Sequence, residues 1–177
     1  MVSLVLTTYN GEKYITEQLD SIRLQTRTPD EVIIRDDGSS DRTIKIVDDY
    51  IKEYNLESWM LISEQNNVGW KRNFYEAIVL AQGDYIFLSD QDDIWHKDKV
   101  ESTVAVMKNR PEIELLASGY HSFYENGANH LSNQGDRKND GTVEQICFDK
   151  NCLNIFHPGC TFCFTKSLQK RFREYWF

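Results

Sequence analysis

The sequence predicts an α/β protein built on a mostly parallel, doubly wound sheet flanked by helices. Short apolar runs alternate with amphipathic segments through the N-terminal half of the chain. These runs are unbroken rather than alternately polar and apolar, as is typical of strands buried on both faces of a parallel sheet. A polar cluster follows each of the first four runs, where ligands bind in such sheets.

Four strand–helix pairs are predicted in succession. Each strand is a short apolar run, and each helix repeats apolar residues at a spacing of three or four. The predicted strands are 4–6, 32–34, 61–62 and 85–88. The predicted helices are 14–23, 42–54, 71–81 and 99–109. Ser39, Ser40 or Asp41 can cap the second helix, and Pro111 stops the fourth.

The pattern changes after residue 112, and we divide the chain there into segments 1–112 and 113–177. We predict a longer strand at 115–124, a polar loop at 125–141, a strand at 162–164 and a helix at 166–175. The chain ends in three aromatic residues, Tyr175, Trp176 and Phe177. Because such residues seldom lie loose at a terminus, we expect the sequence to be a piece of a longer protein.

Composition narrows the class of protein. The 177 residues suit one domain, and the formal net charge of −8 argues against a nucleic-acid partner. No signal peptide is recognisable, and no apolar run approaches the ~20 residues of a membrane span. We therefore expect a cytoplasmic protein. The basic, aromatic segment 166–177 leaves open a peripheral contact with the inner face of a membrane.

The four cysteines admit two interpretations. Cys160 and Cys163 match a C-x-x-C zinc motif, to which Cys147 and Cys152 would add two thiols. We favour free cysteines in and beside a buried strand, because thiols three residues apart on a strand point to opposite faces.

The strongest functional signal is the set of polar clusters after the first four strands. In a parallel sheet all four meet at one edge, where they form a crevice. The clusters are 7–12, 35–41, 66–73 and 90–93. No P-loop motif occurs, and no G-x-G-x-x-G follows the first strand.

The last cluster contains Asp90, Asp92 and Asp93 beside apolar residues. Asp90 and Asp92 would share a side of an extended backbone, and a Mg²⁺ or Mn²⁺ between them would keep them charged. Two alternatives remain open. A calcium loop would need glycine where Trp95 stands. The cluster would otherwise be a solvated acidic turn that caps the next helix.

The other candidate residues each have a structural alternative. Asp37 can accept the N–H of a pyrimidine base or belong to a turn before a helix. Tyr9 can stack on a base or cover the end of the sheet, and Thr7 is open in the same way. Lys71 and Arg72 begin a helix, where basic residues oppose the macrodipole, so they fit either a bound diphosphate or the ordinary surface.

Four blocks in this order resemble the inverting family 2 glycosyltransferases of GT-A fold, which are Rossmann-like. They are "LVLTTYNGEKYI", "VIIRDDGSSDRT", "NNVGWKRNFYEAI" and "GDYIFLSDQDDIW". A later block, "FHPGCTFCFTKSL", is similar to the one that follows the donor half in rhamnosyltransferase-like members. Segment 1–112 would then be the nucleotide-sugar-binding half, and 113–177 the acceptor-side half, truncated at its C-terminus.

The resemblance implies a UDP- or dTDP-linked sugar donor and a Mg²⁺ or Mn²⁺ on its diphosphate. It implies that Thr7, Tyr9 and Asp37 hold the base and ribose. Asp90 would lie near the ribose and the metal, and Asp92 would bind the metal. The same resemblance implies transfer to a saccharide or lipid-linked acceptor in bacterial surface polysaccharide synthesis.

Lys71 or Arg72 would contact the phosphates. Such enzymes displace the nucleotide once, with inversion, and use a carboxylate as general base. The family's base usually lies shortly after the Pro-Gly-Cys block, where this chain ends, so we expect it beyond Phe177 and interpret His157 as a polar loop residue. The alternatives are a nucleotide-sugar-binding module without activity and an acidic calcium-binding interaction domain.

Overall fold

The computed structural model describes residues 1–121, 143–144 and 158–175. Strands and helices alternate through the first 109 residues as predicted, and in the described residues a 3₁₀ turn, Gly159–Thr161, precedes the last strand. The strands are β1 (Val2–Thr8), β2 (Glu31–Asp36), β3 (Trp59–Ser63), β4 (Tyr85–Asp90), β5 (Leu115–Ala117) and β6 (Phe162–Thr165). The helices are α1 (Ile15–Arg23), α2 (Thr43–Glu53), α3 (Trp70–Leu80), α4 (Lys99–Asn109) and α5 (Lys166–Tyr175).

The strands form one six-stranded sheet in the order β3-β2-β1-β4-β6-β5. The first four strands are parallel, whereas β6 runs antiparallel to both β4 and β5. The prediction of a mostly parallel sheet flanked by helices is confirmed. Because β1 to β4 are parallel, the polar clusters after them all lie at the carboxyl edge of the sheet.

Two apolar layers hold the sheet between the helices. Successive strand residues point to opposite faces, so Leu4 and Leu6 join one layer and Val5 joins the other. The first layer packs α1, α2 and α4 against the sheet, through Ile15, Leu19, Ile22, Val47, Val100, Val104 and Met107. The second packs α3, through Ala77 and Ala81, against Ile33, Ile86 and Phe164.

The strand predicted at 115–124 is shorter than expected. It spans three residues, and Ser118 to His121 are not in a strand. Its ladder with β6 ends at the pair Ala117 and Phe162, because the 3₁₀ turn directly before Phe162 is not extended backbone. Beyond that pair the Ser118 N–H still donates to the Thr161 carbonyl (3.0 Å). The predicted loop 125–141 lies outside the described residues, as do His157, interpreted as a polar loop residue, and Cys147 and Cys152. No helix in the described ranges is long and apolar enough to cross a membrane.

Candidate active site

The ends of β1 and β4 lie side by side. Thr7 is the register partner of Asp90 on β4 and of Arg35 on β2, and Thr8 pairs with Asp36. The strands therefore deliver the threonines of β1 and the first carboxylate of the acidic cluster to the same position along the sheet edge.

A cleft of about 340 Å³ opens at this edge. Side chains from the ends of β1, β2 and β4 and from the start of α3 line it. They are Thr7, Thr8, Tyr9, Asp37, Trp70, Asn73, Asp90, Gln91 and Asp92. The structure thus brings together five of the seven residues predicted for donor and metal binding: Thr7, Tyr9, Asp37, Asp90 and Asp92.

Gln91 joins the loop after β1 to the loop after β4. Its Oε1 accepts a hydrogen bond from the Tyr9 N–H (2.8 Å), and its Nε2 donates to the Tyr9 carbonyl (3.0 Å). A Cβ on Gly11 would collide with the same side-chain amide, so a larger residue there would displace Gln91 from Tyr9. The Tyr9 ring is 47% exposed and lies at the mouth of the cleft, where it can offer a face to a ligand.

Asp37 is buried and anchors the loop before α3. Its carboxylate oxygens accept hydrogen bonds from the backbone N–H groups of Val68 (2.7 Å) and Gly69 (3.0 Å). Gly69 is the N-cap residue of α3, and its φ of 87° favours glycine. Asp37 therefore holds the loop before α3 and also lines the cleft, and its contact with a base stays a prediction.

The carboxylates after β4 form a compact acidic group. The Asp90 N–H donates to Asp93 Oδ2 (3.2 Å), and Asp92 is exposed. Burial raises the pKa of Asp90 to about 6, and the neighbouring charges of Asp93 and then Asp92 act in the same direction. Burial also raises the pKa of Asp93. The group therefore carries negative charge that its protein surroundings compensate poorly.

Cys160, in the turn before β6, completes this group from the side of β4 that faces away from β1. One ligand atom from each of Asp90, Asp93 and Cys160 lies within 4.8 Å of the others. Burial and then the charge of Asp93 raise the pKa of the Cys160 thiol to about 12, so the thiol stays protonated and hydrogen-bonds Asp93. Lys99 donates to the Cys160 carbonyl (2.9 Å) and lies over the Trp95 ring.

The two alternative metal interpretations gain no support from the described residues. Cys163 is buried in β6 as a free thiol, as favoured from the sequence, and Cys160 is also free. In the calcium interpretation Asp98 and Glu101 would turn toward Asp90. Asp98 instead pairs with His96, and Glu101 accepts from the Thr26 hydroxyl (2.7 Å).

Lys71 and Arg72 do not line the cleft. The cleft-facing positions of α3 are Trp70 and Asn73, three residues apart, and the helical repeat turns positions 71 and 72 away from them. Arg72 pairs with Glu76 (2.6 Å), and the Lys71 ammonium lies over the Trp70 ring. Neither cation therefore lies in the wall of the cleft, and the phosphate contact expected of them stays a prediction.

The predicted clusters contain Trp70, Asn73, Gln91 and Asp93, but sequence reasoning assigned these four no individual role and did not expect Cys160 at the site. Helical spacing gave a usable signal for the first two, because Asn73 lies one turn before Ala77, which faces the sheet. The pairing of Cys160 with the acidic group follows from the antiparallel placement of β6 beside β4, and no local pattern announces that placement.

A shallower groove of about 430 Å³ lies between α1 and the loop after the acidic cluster. It is lined mainly by apolar surface around Leu24, Ile94 and Trp95. None of the predicted donor- or metal-binding residues lines it, so the candidate site is the cleft at the sheet edge.

The strand order and the acidic cleft at the carboxyl edge define a fold of the GT-A class. TarS from Staphylococcus aureus, solved as residues 1–349 in complex with UDP, matches it with a TM-score of 0.69 and 24% identity. That match covers 96% of this chain and 48% of the TarS chain. The mannosyltransferase PcManGT from Pyrobaculum calidifontis, solved with GDP-Man and Mn²⁺, matches 68% of this chain and 35% of its own (TM-score 0.62, 25% identity).

Residues 3–172 match glycosyl transferase family 2, and the chain belongs to that family. Among curated relatives, the dTDP-rhamnosyl transferase RfbG of Shigella flexneri is 33% identical over 96% of this chain. The match covers 57% of that relative, so the chain spans little more than half of its length. The family resemblance inferred from the four sequence blocks is confirmed.

Proposed function

We propose that the chain is the donor-binding part of a metal-dependent, inverting glycosyltransferase. It would move a sugar from a UDP- or dTDP-sugar to a saccharide or lipid-linked acceptor in bacterial surface polysaccharide synthesis. One observation carries the proposal: Thr7, Tyr9, Asp37, Asp90 and Asp92 arrive from three parallel strands and line a single cleft. The names of relatives that transfer rhamnose or N-acetylglucosamine support the same class of reaction.

The acidic group fits a divalent cation. Its members offer hard carboxylate oxygens, which Mg²⁺ and Mn²⁺ prefer. Burial and then the charges of Asp93 and Asp92 raise the pKa of Asp90, and a bound cation would favour its charged form. Asp92 and Asp90 would hold the ion, which would neutralise charge developing on the departing diphosphate.

The chain's own residues bind and orient the donor. Tyr9, fixed through its peptide by Gln91, offers an aromatic face to the base. Thr7 and Asp37 offer polar groups for the base and ribose. Asp90 lies beside Thr7, on the neighbouring strand β4. Residues 1–112 would supply this donor half, and the carboxylate that deprotonates the acceptor hydroxyl is expected outside the described residues.

Isothermal titration calorimetry tests donor binding directly. The chain is titrated with UDP, dTDP and GDP, each with and without MnCl₂. We expect one of the two pyrimidine nucleotides to bind best and to need Mn²⁺. Absence of nucleotide binding at millimolar concentration in the presence of Mn²⁺ would overturn the proposal.

A second candidate is a nucleotide-sugar-binding module without turnover. The chain spans little more than half the length of RfbG. In the proposed site, the carboxylates that line the cleft in the described residues bind the donor or the metal, so none of them serves as the general base. A turnover assay on the natural full-length protein, with UDP or dTDP release as the readout, distinguishes the two candidates. Acceptor-dependent release supports the enzyme, and the anomeric configuration of the product tests inversion.

A further inference from the structure

Three polar side chains form a largely buried stripe along α1. Gln18 and Ser21 lie on the helix, and Gln25 follows two residues after its end. Spacings of three and four residues are those of neighbours on one helical face. Gln18 is 0% exposed and Gln25 is 5% exposed, although glutamine is seldom buried. Buried amides need hydrogen-bond partners, so those partners indicate what the stripe does.

Ser21 and Gln25 bind backbone groups of the β4–α4 loop (residues 91–98) and of the first turn of α4. Ser21 Oγ accepts a hydrogen bond from the Trp95 N–H (3.0 Å). Gln25 Nε2 donates to the His96 carbonyl (2.9 Å), and its Oε1 accepts from the Val100 N–H (3.1 Å). The stripe therefore holds the chain just after the acidic group.

Gln18 ties the same stripe to the end of β4. Its Nε2 donates to the hydroxyl of Ser89, the residue directly before the acidic group. The Ser21 hydroxyl donates to Gln18, whose Oε1 and carbonyl oxygen both lie 2.9 Å from it. One face of α1 thus contacts the chain on both sides of the acidic group.

The acidic group needs such support because its carboxylates repel one another. Oxygen atoms of Asp90 and Asp93 lie within 4.8 Å of each other, and Asp92 adds a third charge to the same short segment. The Trp95 ring packs against Phe87, with 5.7 Å between the ring centroids, and this contact fixes a side chain. The hydrogen bonds from the stripe fix the backbone that carries the carboxylates.

We propose that Gln18, Ser21 and Gln25 are positioning residues for the divalent cation, an inference that rests on the proposed function. None of the three lines the cleft, so they act through the β4–α4 loop. They hold this loop in the conformation that presents Asp90 and Asp92 together, and the cation then does not have to order the loop against the repulsion of the carboxylates.

Ser21→Ala tests the inference with a small change. Alanine favours the helix, so α1 itself is not weakened, but the Trp95 N–H loses its acceptor. Calorimetry measures the affinity for MnCl₂ in the presence of UDP or dTDP, whichever the wild type binds more tightly. We expect the affinity for Mn²⁺ to fall about tenfold.

Ser21→Thr is the conservative variant and should restore the affinity for Mn²⁺ to within about twofold of wild type. Threonine keeps the hydroxyl, and Ser21 borders the groove between α1 and the β4–α4 loop, which leaves room for a methyl group. Recovery by this variant would assign the effect to the hydrogen bond.

Hydrogen exchange gives a second readout that needs neither metal nor nucleotide. In the metal-free protein, Ser21→Ala should speed amide exchange in the peptide that contains residues 91–98 about tenfold, because one backbone hydrogen bond of the loop is lost. Ser21→Thr should exchange as the wild type does.

Val47→Ala is the control for general loss of stability. It removes fully buried methyl groups from α2 and should lower the melting temperature. Affinity for Mn²⁺ and exchange in the β4–α4 loop should stay at the wild-type values.

Each remaining outcome decides the matter. Wild-type affinity for Mn²⁺ or wild-type loop exchange in Ser21→Ala overturns the inference and leaves the proposed function standing. A loss of affinity that Ser21→Thr does not restore, or that Val47→Ala shares, also overturns the inference alone. A wild-type protein that binds neither nucleotide in the presence of Mn²⁺ overturns both.

Discussion

The side-chain amide of Gln91 makes two hydrogen bonds to the backbone of Tyr9, accepting from the Tyr9 N–H and donating to the Tyr9 carbonyl. The two residues lie on loops that follow different strands, β1 and β4, which are neighbours in the sheet. These two hydrogen bonds fix the position of Tyr9, at the mouth of the cleft, relative to the carboxylates that follow β4.

Gln91→Ala is therefore expected to weaken nucleotide binding without unfolding the protein. Tyr9 would lose both hydrogen bonds that hold its peptide, so ordering it would oppose binding, and we expect affinity for UDP with Mn²⁺ to fall about tenfold. Thermal unfolding should change little, because the bridge is exposed. Gln82→Ala, an exposed glutamine in the turn before β4, is the matched control and should match wild type in both measurements. Wild-type affinity in Gln91→Ala would show that the bridge does not matter for binding.

The cleft could be predicted from the sequence to the extent that strand ends dictate it. Parallel strands place their carboxyl ends at one edge, so Thr7, Tyr9, Asp37, Asp90 and Asp92 were expected together, and all five line the cleft. The meeting of the clusters follows from the strand positions and the rule for parallel sheets, whereas the choice of these five residues within the clusters came from the family resemblance.

The remaining members differ in how far the local sequence predicts them. In α3 the helical phase places positions 70 and 73 on the cleft face, whereas the phosphate contact expected of Lys71 or Arg72 stays a prediction. Cys160 meets Asp93 because β6 lies antiparallel beside β4, and that pairing joins residues far apart in the chain.

Asp90 should make the metal-free protein less stable as pH rises. Its folded-state pKa of about 6 lies above its ordinary value of 3.8, so the folded state binds more protons between these values. Stability therefore falls from about pH 4 to about pH 6 and stays lowered above that range. Asp90→Asn removes the charge and should stabilise the apoprotein at pH 8 by on the order of 1–2 kcal/mol, with little effect at pH 4.

Urea unfolding of the metal-free wild type and Asp90→Asn at pH 4, 6 and 8 measures this difference. Asp48→Asn, on an exposed helical pair with Lys52, is the control and should show no such pH-dependent gain. A stabilisation by Asp90→Asn that does not grow with pH would contradict the origin assigned to the raised pKa.

Asp92 should matter for the metal and not for the fold. It is exposed, so Asp92→Asn is expected to change the free energy of unfolding by less than about 0.5 kcal/mol. In the proposed site it binds Mn²⁺ with Asp90, so its loss should weaken Mn²⁺-dependent UDP binding about 100-fold. Calorimetry across a MnCl₂ series measures the effect. Asp49→Asn, which changes an exposed residue of α2, is the control. Equal Mn²⁺ dependence in Asp92→Asn and wild type would exclude Asp92 as a ligand.

Cys160 should resist alkylation while the protein is folded. Iodoacetamide reacts with the thiolate, and the rise of the Cys160 pKa from 9.0 to about 12 lowers the thiolate fraction at pH 8 roughly a thousandfold. The cause is burial together with the charge of Asp93, so Asp93→Asn should restore part of the reactivity without unfolding the chain. Mass spectrometry of the Cys160 peptide after timed alkylation, with a urea-unfolded sample as reference, gives both rates. Rapid alkylation in the folded wild type would mean that the thiol does not hydrogen-bond Asp93, and the tie between the turn before β6 and the acidic group would have to be abandoned.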